Sequence, residues 1–177
     1  MPALLPRLPR AFQLVAMPLP VVPLSLLLGA VTRRMARTHP VMLRRLGAYA
    51  GKRFLIDPTD LPFVLLLQPL ASQMTAHRRS SPPEHDARIA GPLSAFLAMM
   101  HGAEDGDALF FSRDLTVEGD TAALLALRNA IDDAELDLTE EFAALSGPLA
   151  APLRLALARA ERATGLALHR IDIGVLG

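Results

Sequence analysis

The spacing of apolar residues changes period along the chain. From Leu24, helix-forming residues run as far as Pro40, with Leu26, Gly29 and Ala30 giving way to Arg33, Arg34 and Arg37. This predicts a helix with an apolar start and a basic end, a polarity that suits the helix dipole. Pro40 opens a second short helix with Met42, Leu43, Leu46 and Tyr49 as its apolar positions, and Gly51 stops it. The period then shortens. Residues 52–57 read as a strand with Phe54 and Ile56 on one face, followed by a turn at Pro58-Thr59-Asp60. Residues 62–68 are apolar on both faces, as in a strand covered on both sides. Residues 71–79 alternate more weakly, residues 80–85 form a loop, and residues 86–90 make another short strand.

Helical spacing returns after Gly91-Pro92, since proline suits the first turn of a helix. Leu93, Phe96, Leu97 and Met100 fall at i, i+3, i+4 and i+7, and Gly102 closes the helix. An acidic loop leads through Phe110-Phe111 to a strand over residues 114–118. Asp120 then caps a helix carrying Leu124, Leu127 and Ile131. A further helix is predicted over residues 148–164, ahead of a tail of undecided form. Helices first, short strands in the middle and helices again argue for an α+β fold with an antiparallel or mixed sheet.

The segment before Leu24 is apolar and interrupted by Pro18, Pro20 and Pro23. Its uncharged stretch is too short and too proline-rich for a spanning helix, because each proline removes a backbone donor and clashes with the preceding turn. No small-x-small cleavage site follows it, which argues against a signal peptide. It reads as an extended apolar arm that lies on a bilayer or folds back over the domain. The expected division is an arm with the first helix over residues 1–38, a domain over 39–136, and a C-terminal helix and tail over 137–177.

Charge sharpens this division. Net charge is zero, yet residues 1–56 hold Arg7, Arg10, Arg33, Arg34, Arg37, Arg44, Arg45, Lys52 and Arg53 with no acid. All 18 acidic residues follow, against nine basic ones. Basic residues mixed with Leu, Val, Met and Phe point to an anionic membrane surface rather than to nucleic acid, with Arg7, Arg10, Arg33, Arg34 and Arg37 as the candidate contacts. Such attraction contributes about 1 kcal/mol per basic residue near the headgroups.

The same residues offer little to catalysis. Cysteine is absent, which removes a disulfide framework, a thiolate metal site and a cysteine nucleophile together. No two of the five histidines lie three or four residues apart, so helical metal spacing is missing. Ser112 lacks a nucleophile elbow. The glycine-containing loop at residues 102–106 is acidic, the wrong charge for phosphate. The carboxylates at Asp132, Asp133, Glu135, Glu140 and Glu141 read as a solvated helix face. Neither a cofactor nor a metal is expected, and the chain is expected not to be an enzyme.

The run DARIAGPLSAFLAMMHGAEDGDALFFSRDLTVEGDTAALLALRNAI, residues 86–131, resembles the C-terminal half of the sterol carrier protein domain. Phe110, Phe111, Leu115, Val117, Glu118, Gly119 and Asp120 carry the likeness, and residues 51–67 resemble that domain's opening hairpin. The proline-rich apolar N-terminus, the paired phenylalanines and Asp132-Asp133-Ala134-Glu135-Leu136 are most similar to the UbiT-like branch of bacterial ubiquinone biosynthesis accessory factors.

The resemblance implies a five-stranded sheet with helices on one face and an apolar tunnel between them. It also implies a lipid-binding accessory role in ubiquinone biosynthesis, in its oxygen-independent form and beside proteins that hydroxylate the ring. The expected ligands are prenylated quinone intermediates or phospholipid, and the expected place is the cytoplasm, peripheral at the inner membrane. Candidate lipid-binding residues are Phe63, Leu65, Met74, Phe96, Leu97, Met100, Phe110, Phe111, Leu124 and Leu127. A general phospholipid or sterol-type carrier and an interaction scaffold with a solid core remain as alternatives.

Overall fold

A computed structural model describes residues 21–101 and 115–133. The elements are α1 (Val21–Thr38), α2 (Pro40–Leu46), a 3-10 turn (Gly47–Gly51), β1 (Phe54–Pro58), β2 (Phe63–Gln68), β3 (Gln73–Arg78), β4 (Ala87–Gly91), α3 (Leu93–His101), β5 (Thr116–Gly119) and α4 (Thr121–Asp133). The fold class is α+β, and the five strands form one open sheet in the order β3-β2-β1-β4-β5.

β1, β2 and β3 form an antiparallel meander, with Leu55 opposite Leu66 and Leu65 opposite Ala76. β4 returns beside β1 in parallel, pairing Ile56 with Ile89, and β5 adds an antiparallel edge, pairing Ile89 with Val117. The sheet is therefore mixed. Alternation along the strands places Ile56, Leu65, Leu67, Met74 and Ile89 on one face and Leu55, Val64 and Leu66 on the other. The first face carries the main core, where Phe54, Leu67 and Ile89 meet Ala95 and Phe96 from α3 and Leu124 and Leu127 from α4. Leu46 of α2 joins this cluster, and Leu55, Val64 and Leu66 form a second, smaller one.

Local chemistry explains where elements begin. Gly119 has φ +80, and a Cβ there would stand 2.4 Å from the Asp86 carbonyl oxygen, so only glycine fits. The next residue caps α4: the Asp120 carboxylate accepts the Ala123 N–H at 3.0 Å. Asp60, in the β1–β2 turn, accepts the Leu93 N–H at 2.9 Å and so serves the start of α3.

The first helix departs from expectation in two ways. It starts at Val21 and contains Pro23, whereas the proline pattern suggested extended chain as far as that residue. Pro23 lies in the first turn, where the N–H it lacks has no acceptor to lose. Its second departure is one of placement, since the helix at the end of the 1–38 segment packs along β3 rather than standing off the sheet. Ser25 makes the join, its hydroxyl accepting the Ala76 N–H at 2.9 Å while donating to the Val21 carbonyl at 2.7 Å.

On the opposite face, Asp57 is buried between two arginines. Arg88 Nη2 donates to it at 2.6 Å and Arg79 Nη1 donates to its other oxygen. Arg79 also donates to the carbonyls of Pro58 and Leu61, at 2.7 and 2.8 Å, which clamps the turn that carries Asp60.

Candidate functional site

A cavity of about 190 Å³ lies between the first sheet face and three helices. Its floor is Ile56 and Pro58 from β1, Leu65 from β2, Met74 from β3 and Ile89 from β4. α1 supplies Leu28, Val31, Thr32 and Met35, and α4 supplies Leu124, Leu127, Arg128 and Ile131. Both sets fall at i, i+3, i+4 and i+7, the spacing that turns one helical stripe inward. α3 contributes Leu93, Phe96, Leu97 and Met99.

In this lining the Thr32 hydroxyl and the Arg128 Nη2 have partners within their own helices, while the Arg128 Nε is buried with no hydrogen-bond partner among the described residues. Thr32 donates its hydroxyl to the Leu28 carbonyl at 2.8 Å. Arg128 carries its guanidinium to Asp132, 3.0 Å away, so that the stem covers the wall while the charge lies with a carboxylate. Among the described residues, the lining therefore offers a ligand mainly hydrocarbon contact and includes no His, Asp, Glu, Lys, Ser or Tyr. Among the described residues no group of three His, Asp or Glu could hold a metal ion.

The shifted ionisable groups serve the frame. Asp86 is held below the usual carboxylate range, first by the backbone N–H of Arg53, which donates to it at 2.7 Å, and further by the nearby Lys52 and Arg53 charges. Arg88 is pushed up from its already high value by its hydrogen bonds to Asp57 and then to Glu118. Both groups are absent from the cavity lining.

Of the candidate lipid-binding residues, Leu65, Met74, Phe96, Leu97, Leu124 and Leu127 come together around the cavity. Phe63 is buried on the same sheet face, at the first position of β2, but does not line the cavity. Phe110, Phe111 and the Met100 side chain lie outside the described residues. Leu28, Val31 and Met35 are not among the candidates, none of which lies on α1. Nor are Ile56 and Ile89, though strand alternation places Ile56 beside Phe54 and gives Ile89 a covered face.

Of the candidate membrane contacts, Arg33 and Arg37 are exposed and Arg34 is half-buried. Arg7 and Arg10 lie outside the described residues. The outward stripe of α1 runs Val22, Leu26, Arg33, Arg37, with Val22 and Leu26 66% and 67% exposed. No helix among the described residues is long and apolar enough to cross a membrane.

Comparison with curated proteins returned no match. Among solved structures, one named UbiJ-SCP2 ubiquinone synthesis protein is 18% identical with a TM-score of 0.53, covering 68% of this chain and 98% of its own. At that identity the likeness is one of fold. Sterol carrier protein 2 from Yarrowia lipolytica is 14% identical, with a TM-score of 0.43, covering 60% of this chain and 88% of its own. Domain 2 of the sterol carrier protein from Helicoverpa armigera is 12% identical, with a TM-score of 0.38 and the same coverages of 60% and 88%. The family profile described as SCP-2 sterol transfer family matches residues 32–132, more than half of the sequence. On that match the chain belongs to the SCP-2 sterol transfer family.

Proposed function

We propose that this protein is a non-catalytic lipid-binding accessory factor that holds and presents prenylated quinone precursors during ubiquinone biosynthesis, in its oxygen-independent form. The observation that carries the reading is the cavity, walled almost wholly by aliphatic and methionine side chains with Phe96. Each methylene removed from water is worth about 0.8 kcal/mol, so a prenyl tail leaves a bilayer only into such an enclosure. The family match and the fold shared with a ubiquinone synthesis protein support the choice of pathway.

In this reading the tail occupies the cavity while the ring stays outside, within reach of partner proteins that hydroxylate it. The protein works in the cytoplasm, peripheral to the inner membrane. The exposed Val22 and Leu26 enter the headgroup region, and Arg33 and Arg37 on the same stripe, with the N-terminal Arg7 and Arg10, meet anionic lipid.

Mass analysis of an organic extract from freshly purified protein tests the proposal. A prenylated phenol or quinone precursor is expected in it. Phospholipid alone would favour a general lipid carrier, and bare polypeptide would leave an interaction scaffold.

A further inference from the structure

The resting cavity is short of space for the ligand that the proposed function gives it. Its 190 Å³ is little more than the roughly 150 Å³ of an engineered apolar cavity that takes one benzene molecule. One isoprene unit has nearly the carbon content of benzene, so a tail of several units needs a wall that gives.

The walls differ in how they are fastened. The floor is a hydrogen-bonded sheet. α4 is fixed at its start by Gly119, by the Asp120 cap and by the Asp120 N–H donating to the Asp86 carbonyl at 3.1 Å. α3 is held at its start by Asp60. α1 is joined to the sheet through Ser25 and Ala76, at the outer edge of β3. Unlike the strands of the floor, α1 and β3 share no backbone ladder along this seam.

Methionines stand where that seam meets the cavity. Met35 of α1 and Met74 of β3 are both half-buried and both line the cavity, and Met99 of α3 lines it from a buried position. Methionine is unbranched, turns about three side-chain bonds and refills irregular space, whereas Val, Ile, Leu and Phe hold their shape.

We propose that Met35, Met74 and Met99 determine how long a hydrocarbon tail the cavity takes: Met99 yields from the α3 wall while Met35 and Met74 move aside along the α1–β3 seam, so that a chain longer than the resting cavity threads between helix and strand. The inference rests on the lipid-holding reading and adds a ligand class to it: long, flexible, acyclic tails rather than rigid polycyclic lipids. Cavity extension occurs at the edge of the sheet, on the helix whose outer stripe carries Val22 and Leu26.

The test displaces cis-parinaric acid from the full chain with geraniol, farnesol and geranylgeraniol. Wild-type affinity is expected to rise along that series. In the variant Met35→Leu/Met74→Ile/Met99→Leu, which conserves volume but stiffens the seam, geraniol should bind as before and geranylgeraniol about tenfold more weakly. Equal affinities in the two proteins, or a uniform loss across all three alcohols, would overturn the methionine assignment. If the triple variant does not fold, Met74→Ile alone reads the same contrast, because isoleucine suits an edge strand. Ser25→Ala should speed the release of geranylgeraniol more than that of geraniol, and unchanged release would overturn the seam as the route. Failure of wild-type protein to bind cis-parinaric acid or any of the alcohols would instead remove the lipid-holding reading itself.

Discussion

α1 and α4 face each other across the same cavity and present the same inward spacing, yet they are built to different standards of fixity. The start of α4 is determined by backbone geometry: a positive-φ glycine pressed against the Asp86 carbonyl, a carboxylate cap, and Lys52 3.4 Å from Asp120. α1 packs on the outermost strand, where the Ser25 hydroxyl takes the Ala76 N–H and aliphatic and methionine side chains turn toward the cavity. A carrier needs both kinds of wall. In the proposed reading, one keeps the shape of the site and the other lets cargo pass.

The largest effect expected from breaking this contrast is at Gly119. Gly119→Ala forces a Cβ onto the Asp86 carbonyl in a backbone conformation that alanine avoids, and should lower unfolding free energy by about 3 kcal/mol in a urea titration. Asp120→Ala removes the cap and the Lys52 contact, and should lower it by about 1 kcal/mol. An equal loss from both changes would mean that the glycine is not the anchor.

Ser25→Ala leaves the N–H of buried Ala76 without its acceptor and should lower global stability by about 1 kcal/mol. It should also raise amide hydrogen exchange along α1 well ahead of α4, which sharpens the contrast. Uniform exchange in the two helices would erase it.

The smallest effect concerns acid. Asp86 has its folded-state pKa depressed, so its contribution is present above the ordinary carboxylate range and is lost as pH falls through the lowered value. Asp86→Asn should therefore lower the melting temperature on the neutral side and converge on wild type below about pH 4, which flattens the acid limb of the profile.

The anchored wall was the more legible of the two in sequence, and the reason is locality. Glu118-Gly119-Asp120 encodes a turn and a cap within three residues. The i, i+3, i+4 stripe of α3 likewise names Phe96 and Leu97 as inward-facing without reference to anything else. The yielding wall depends on partners far away in sequence. Ser25 and Ala76 are 51 residues apart, and nothing near Ser25 signals a sheet edge. The parallel pairing of β1 with β4 spans a whole hairpin, so Ile56 and Ile89 could be assigned to covered faces but not to each other. Phe63 shows the opposite error. It shares a face with Leu65, yet it lies at the strand's end, beyond the cavity, because alternation fixes a side and not a distance.

β3 lies at the border of the sheet, and a bare border strand is a template for pairing with another molecule. α1 lies over that border, and its serine occupies the N–H of Ala76 that a foreign strand would otherwise take. Movement of α1 away from β3 would therefore bare an adhesive rim as well as widen the cavity. Loaded or emptying protein should for that reason be the form most prone to self-association, and selection on such a helix weighs solubility together with transport.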